Sequence, residues 1–232
     1  MLTTEKSTYS RDGFMSQLRE HWAGVSLPGD YTLEQWLGGD ESAVFFQTSL
    51  ASGNRAVVKL VPEGIVDGDA QLELWGRTRQ LRHPNLIEFL DCGRAAHDGE
   101  TVVYGVFESP DDMLASALSQ APLNEAESRE VLDSVLGALA HLHAQGLAHG
   151  AIDPEHIVAV GDRVKLSTDG LRVGDAASYA HDVLLLGELW QQSLMSASPK
   201  SAEIVAHATD PKLGTRWSVS YTHLTLPTIL RV

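Results

Sequence analysis

The length and composition of the chain fit a folded protein with a sizeable core. It has 232 residues, of which 43% are hydrophobic and 21% are charged, as is usual for globular domains. The formal net charge of -14 argues against a surface for nucleic acid, so we expect no nucleic-acid partner. The single cysteine, Cys92, excludes an internal disulfide and favours the reducing cytoplasm.

The chain shows no targeting or membrane-spanning segment. Charged residues are scattered through residues 1–25, and the apolar run Val183–Leu186 is far shorter than a bilayer requires. Residues 219–232 are expected to be a non-native tail, because Val219 to Thr228 resembles a translated transposon-end adapter. The alternative is a genuine tail with strand propensity. If the tail is foreign, a membrane anchor could have followed Ser218 in the natural protein.

Strand patterns dominate the first half of the chain. Three runs rich in β-branched and aromatic residues begin at Tyr31, and Ser52 to Asn54 predict a hairpin turn between the second and third. A helix ending near Leu81 follows, and then two more strands joined by a polar turn at His97 to Glu100. Residues 14–24 have weak helical spacing, which predicts a short helix packed on the outside.

Helical patterns dominate the second half. Asp111 to Ser119 predict a short helix, and Asn124 is predicted to cap a long amphipathic helix that ends at Gly146. Val183 to Leu194 are apolar on most sides, which is typical of a buried helix. A last helix is predicted over Ser201 to Thr209.

The stretch AHLHAQGLAHGAIDPEH, Ala140 to His156, resembles the catalytic loop of protein kinases with its preceding helix. Weaker matches follow the order of that family: a strand with Lys59, the turn His83 to Leu86, the helix start Asp182 to Gly187, and Asp210 to Arg216. The resemblance implies an α+β, two-lobed protein-kinase-like fold. The chain resembles, in particular, the kinase-like domains of bacterial serine/threonine receptor kinases.

The resemblance also implies a division into domains. Residues 1–30 are an N-terminal extension, and residues 31–218 form the kinase-like domain. Its small lobe, 31–108, is expected to hold five antiparallel strands and one main helix. Its large lobe, 111–218, is expected to be mostly α-helical.

The catalytic groups of a kinase are replaced in this sequence. By resemblance, Ala151 takes the place of the catalytic base, His156 that of the metal-binding asparagine, and Thr168 that of the metal-binding aspartate. Asp153 and Asp169 are nearby carboxylates, but each would need a shifted loop to act. We therefore assign no catalytic residue and no metal site, and the sequence argues against Mg²⁺ binding.

Two further differences weaken the resemblance to an active enzyme. Gly150 takes the place of the family's arginine beside the base. Eleven residues, 171–181, separate Gly170 from Asp182, where the family has a longer activation and peptide-docking segment. The surface for a peptide substrate is therefore expected to be missing.

The nucleotide-binding residues are kept in part. Lys59 takes the place of the phosphate-contacting lysine, and Gly38 is the one match to the glycine-rich loop, where Asp40 adds negative charge. Phe107 and Glu108 lie where the family contacts nucleotide between its lobes. Lys59 could instead be an ordinary strand lysine with a snorkelling head, and Phe107 could serve packing alone. ATP binding, weak or absent, is left open.

Four histidines in the catalytic-loop region raise a second interpretation. A zinc site is conceivable from His141, His143, His149 and His156, but their spacing lacks the usual ligand pattern. By resemblance, His143 and His149 are structural histidines that bind the backbone. We prefer this structural interpretation.

The sequence therefore predicts a pseudokinase, a catalytically inactive regulatory or signalling module with a protein partner. The alternative is an ATP-dependent enzyme that uses Lys59, Asp153 and Asp169. A third interpretation is a switch that binds nucleotide without turnover. A cytoplasmic location is expected for all three.

Overall fold

A computed structural model describes residues 18–193 and Ala206. The chain forms two compact units. The described residues up to Arg79 and the segment Phe89–Ser109 form the first unit, and Gln80–Glu88 and the chain from Pro110 onward form the second. The range predicted as the small lobe, 31–108, lies in the first unit apart from residues 80–88, which group with the second unit, and the described residues 18–30 of the predicted extension also lie in the first unit.

The first unit is built on a five-stranded antiparallel sheet. A short pair precedes it, β1 (Ser26–Leu27) with β2 (Tyr31–Thr32). The sheet strands are β3 (Gln35–Gly39), β4 (Val44–Ser49), β5 (Arg55–Pro62), β6 (Phe89–His97) and β7 (Glu100–Glu108). Their spatial order is β3-β4-β5-β7-β6. The five predicted strands are thus confirmed, although the first of them is interrupted between β2 and β3.

One helix, α1 (Gly68–Thr78), accompanies this sheet. Asp67 caps it by accepting hydrogen bonds from the backbone of Asp69 and Ala70, each at 3.1 Å. Trp75 is buried and its ring lies 6.0 Å from that of Phe89. The predicted helix is confirmed and ends three residues earlier than expected.

The N-terminal segment is part of the core of the first unit. Residues 18–22 are helical, and Leu18 and Trp22 are both fully buried. Together with Leu27 they pack in one cluster with the inner residues of the sheet, which include Phe46 and Leu60. The prediction that this helix packs on the outside is wrong, because weak helical spacing in so short a segment does not reveal that Leu18 and Trp22 are fully enclosed.

The described residues of the second unit hold three helices of seven or more residues and several short strands. The helices are α2 (Leu114–Gln120), α3 (Glu125–Ala144) and α4 (Ala176–Ser193). The strands are β8 (Asp112–Met113), β9 (Leu147–Ala148), β10 (Ile157–Val160), β11 (Arg163–Leu166) and β12 (Arg172–Val173). They form two small antiparallel sheets, β11-β10-β8 and β12-β9.

Local sequence chemistry sets the bounds of these helices. Asn124 and Glu127 form a reciprocal capping box at the start of α3, as predicted, and Gly146 follows its end with φ +73°. The predicted start of α2 at Asp111 is wrong. Asp112 and Met113 pair with β10 instead, so the helix begins at Leu114.

Several predictions fall outside the described residues. These are the last helix apart from Ala206, the match around Arg216, and the tail 219–232. Among the described helices, none is both long enough and apolar enough to cross a membrane.

Candidate functional site

A buried aspartate organises the predicted catalytic-loop region of the second unit. Asp182, on α4, has no solvent exposure. Its carboxylate accepts hydrogen bonds from the backbone of His149 at 3.0 Å and of Gly150 at 2.6 Å, and it bonds the His143 ring at 2.8 Å. Because each donor lies on the loop or on the helix before it, this one side chain holds the loop on α4.

The ionisation of this cluster follows from its contacts. Burial raises the pKa of Asp182, but the hydrogen bonds from His143, His149 and Gly150 outweigh it and hold the pKa below its usual value. Burial lowers the pKa of His149, and the nearby His156 lowers it further. A charged aspartate and a neutral His149 therefore coexist in the core of this unit.

The hydrogen bonds of His149 also define its tautomer. Its Nδ1 accepts from the backbone of Ala151 at 3.3 Å, so the proton lies on Nε2, which donates to the carbonyl of Ser167 at 3.0 Å. The prediction that His149 is structural and binds the backbone stands on these contacts. His143 is structural too, but its partner is the Asp182 carboxylate rather than the backbone.

Asp153 is engaged in its own turn. Its Oδ1 accepts from the backbone of Glu155 at 2.8 Å and of His156 at 3.1 Å, and it bonds the His156 ring at 2.8 Å. Asp153 therefore caps the turn that contains the predicted metal-binding position. The side chain of Ala151 is a methyl group, so it cannot accept a proton in place of Asp153.

Thr168, in the position of the metal-binding aspartate, is buried. Only 1% of the residue is exposed, and its hydroxyl donates to the carbonyl of Ile87 at 3.2 Å. The hydroxyl is thus committed to the protein interior of the second unit. A neutral hydroxyl in this position does not supply the carboxylate charge that Mg²⁺ prefers.

The neighbouring Asp169 is half-buried. Its negative charge raises the pKa of His149 against the dominant effect of burial, so the two side chains lie near each other. Within the described part of the chain, neither Asp153 nor Asp169 belongs to a group of three carboxylate, imidazole or thiol ligands that could hold a metal ion. The same is true of the four histidines considered for zinc.

An arginine from another strand lies against the loop. Gly150 has φ +77°, and a Cβ added there would lie 2.5 Å from the Cζ of Arg172, on β12. Glycine therefore serves this position both by its backbone freedom and by the space it leaves. By resemblance, Gly150 takes the place of an arginine on the loop. In this structure the guanidinium of Arg172, on β12, lies against that position instead.

The predicted phosphate-covering loop of the first unit closes on itself. Asp40 donates its backbone N–H to the carbonyl of Ala43 at 2.9 Å. Its Oδ1 accepts from the backbone and hydroxyl of Ser42 at 2.6 and 2.7 Å and from the backbone of Ala43 at 3.0 Å. A Cβ on Gly39 would lie 2.7 Å from the Ala43 carbonyl oxygen, whereas one on Gly38 would meet nothing. The turn therefore requires glycine at both positions, at Gly39 because of this close approach and at Gly38 because of its φ of +153°.

Lys59 lies on β5 close to this acidic loop. Its Nζ is 5.2 Å from the centroid of the Phe45 ring. Partial burial raises the pKa of Asp40, but hydrogen bonds from Ser42 and Ala43 and the positive charge of Lys59 outweigh it, so the pKa lies below its usual value. The lysine predicted to contact phosphate thus already has a carboxylate in its electrostatic field.

Phe107 and Glu108 are the two remaining residues predicted to contact nucleotide. Phe107 is buried, and its ring packs edge to face on Phe89 with centroids 4.7 Å apart. Glu108 ends β7 opposite Ala56 and is half-buried. The packing role considered for Phe107 is therefore present in the first unit, and a contact with nucleotide stays a prediction for both residues.

The roles of Asp182 and Arg172 were not predicted from the sequence, where Asp182 is identified only as the start of a helix motif. An aspartate directly before a run of apolar helical residues is a usable signal, because a buried carboxylate requires hydrogen-bond donors. Arg172 gave no signal, since its contact with Gly150 depends on the pairing of β12 with β9.

Comparisons with known proteins point to kinases. No protein-family profile matches the chain. CBL-interacting protein kinase 4 of Oryza sativa subsp. japonica is 30% identical over 161 residues, which are 64% of this chain and 34% of that protein. Cyclin-dependent kinase 4 of Xenopus laevis is 34% identical over 106 residues, which are 44% of this chain and 33% of that protein. The chain spans about a third of the length of these curated relatives.

A solved structure shares the fold. The crystal structure of Rad53 1–466 in complex with AMP-PNP matches with a TM-score of 0.72 and 18% sequence identity. The match covers 86% of this chain and 65% of that one. At this identity the similarity establishes the fold alone, and it confirms the predicted protein-kinase-like α+β class.

Proposed function

Because this chain belongs to the protein kinase-like superfamily, we propose that it is a pseudokinase, a catalytically inactive module that regulates or binds a protein partner. The state of Asp153 carries the proposal. The only carboxylate within two residues of Ala151 is bonded to the His156 ring and caps its own turn. Base catalysis typically contributes about 10²–10⁴-fold to a rate, so its loss alone is severe.

The scaffold around the missing base supports a binding role. The Asp182 network keeps the loop hydrogen-bonded to α4 although the loop carries no base. The inward-facing Thr168 hydroxyl supports the absence of a bound Mg²⁺ at that position. A retained fold without the catalytic groups fits a protein that acts by binding a partner through its surface. A cytoplasmic site of action, as the single reduced cysteine suggests, is part of this proposal.

Residual ATP binding is proposed to be weak. The nucleotide analogue in the Rad53 structure belongs to a protein of the same fold, and Lys59 supports a similar contact here. Asp40 opposes it, since its carboxylate would repel the phosphates that Lys59 would attract. The acidic loop and the lysine therefore act in opposite directions on nucleotide affinity.

Phosphate transfer by the purified chain is expected to be absent. Radiolabelled ATP with Mg²⁺ should yield no labelled chain or generic substrate above the level of a Lys59→Ala variant, because the base and both metal ligands are replaced. Lys165→Ala, a lysine change on β11, controls for the loss of one positive charge. Transfer that disappears in Lys59→Ala but persists in Lys165→Ala would overturn the proposal. Sustained Mg²⁺-dependent ATP consumption lost in Asp169→Asn would instead support the alternative enzyme.

Removing the charge of Asp40 is expected to tighten ATP binding. Asp40→Asn can still accept the bonds from Ser42 and Ala43, so the loop should keep its shape while the repulsion disappears. An exposed charge pair contributes about 0.2–1 kcal/mol after screening, so we expect the Kd for ATP to fall roughly 1.4- to fivefold. Calorimetric titration measures the change, and Glu41→Gln is the charge-matched control. Equal effects of the two substitutions would show that only net charge matters.

A further inference from the structure

Two histidines and an aspartate converge in the first unit. His21 lies in the helical segment 18–22, His97 ends β6, and Asp98 begins the turn that follows. One ligand atom from each of the three residues lies within 4.8 Å of the other two. The Nε2 atoms of both histidines are 3.8 Å from Oδ2 of Asp98. Among the described residues, this is the one such group of three.

The backbone and the neighbouring rings hold this group in place. Asp98 and Gly99 have φ +46° and +87° between the paired residues His97 and Glu100, which is a type I′ hairpin turn. The His97 ring lies 5.1 Å from that of His21 and 5.6 Å from that of Trp22. The fully buried Trp22 therefore supports the histidine that β6 presents.

One nitrogen of the group lacks a hydrogen-bond partner. Nε2 of His21 is buried and makes no hydrogen bond in the structure. A buried polar atom without a partner is costly, so native proteins rarely keep one without a reason. The lone pair of a neutral imidazole nitrogen in this position is suited to a metal ion.

We propose that His21, His97 and Asp98 bind a divalent transition-metal ion of the Zn²⁺ class. Two imidazole nitrogens and one carboxylate oxygen form a ligand set typical of Zn²⁺, with bonds of about 2.0–2.2 Å and water in the fourth position. Tetrahedral bonds of that length place ligand atoms roughly 3.3–3.5 Å apart. The observed separations of 3.8 Å need only a small contraction, since Asp98 is exposed and His97 half-buried at the end of a hairpin.

A metal ion at this site would link the helical segment 18–22 to the β6–β7 hairpin. His21 and His97 are 76 positions apart in the chain, and a metal ion bound to both would bind the folded first unit but not the unfolded chain. Binding energy of this kind adds directly to stability. The inference is independent of the proposed loss of kinase chemistry, because none of its three ligands takes a kinase position.

The test titrates the tag-free full chain with ZnCl₂ by calorimetry, with melting scans in parallel. We expect saturable binding of one ion, a raised Tm that EDTA reverses, and no such effect of Mg²⁺. His21→Gln, His97→Gln and Asp98→Asn should each weaken Zn²⁺ binding by more than roughly 100-fold, beyond the 10–100-fold typical of a lost outer-shell partner. Co²⁺ bound to the chain should show the absorption of a four-coordinate site.

The ligand variant Asp98→Asn is expected to retain the turn, because asparagine favours positive φ in a type I′ hairpin. Two further variants serve as controls. Asp162→Asn makes the same change in the two-residue turn between β10 and β11, and His181→Ala removes an exposed histidine on α4. Both controls should bind Zn²⁺ like the unaltered chain. The proposal is overturned if the unaltered chain shows no saturable binding, or if any of the three ligand variants binds as tightly as the controls.

Discussion

Asp182→Ala is expected to lower the free energy of unfolding of the second unit by about 3–5 kcal/mol. The substitution leaves the N–H groups of His149 and Gly150 and the ring of His143 without their acceptor in a buried place. Removing one partner of a buried, charged hydrogen-bond cluster typically costs this much, because the remaining groups stay desolvated. Urea unfolding followed by circular dichroism measures the loss. Hydrogen exchange in α3 and α4 assigns it to the second unit.

Asp153→Ala is a closely matched control for this prediction. Asp153 also accepts from two backbone N–H groups and bonds one histidine ring. Its side chain, however, is 45% exposed, whereas that of Asp182 is fully buried. Water can replace Asp153, so its removal should cost only about 1 kcal/mol. Similar losses for the two variants would contradict the view that burial makes the Asp182 cluster indispensable.

The parts of the fold that sequence predicted are those governed by neighbours in the chain. The turn at Gly53 and the capping box at Asn124 need only a few adjacent residues, and both are present as expected. The start of α2 failed for the opposite reason. Asp112 and Met113 look helical locally, but they pair with Val158 and Ala159, some 46 residues away.

The candidate site shows the same division. Motifs alone led to the prediction that Ala151, His156 and Thr168 replace catalytic groups. Their actual partners could not, since the Thr168 hydroxyl bonds the carbonyl of Ile87, 81 positions away. The cluster of His21 and His97 is equally invisible in sequence, because no spacing rule connects residues in different elements. Linear motifs therefore predict which catalytic groups are replaced, and only the fold shows which partners the remaining side chains contact.

Trp22→Ala is expected to destabilise the first unit by about 3–5 kcal/mol. The side chain is fully buried in the core cluster, and its indole N–H donates to Glu100 at 3.4 Å. Truncating a buried tryptophan removes transferred apolar surface and leaves a cavity, which together cost this amount. Trp22→Phe keeps most of the apolar contact and should cost less than half as much. Thermal unfolding and hydrogen exchange in β4 and β5 measure both effects.

Trp36→Ala, on β3, is the control for Trp22. Trp36 is 41% exposed, and the Arg19 guanidinium lies 4.2 Å from its ring centroid. An exposed cation–π contact contributes about 0.5–1 kcal/mol, so its loss should be small. If Trp22→Ala cost no more than Trp36→Ala, the helical segment 18–22 would be a loosely attached extension, as its sequence suggested. A large difference would place the start of the folded domain before residue 22, and a small lobe truncated to begin at Tyr31 would then lack part of its own core.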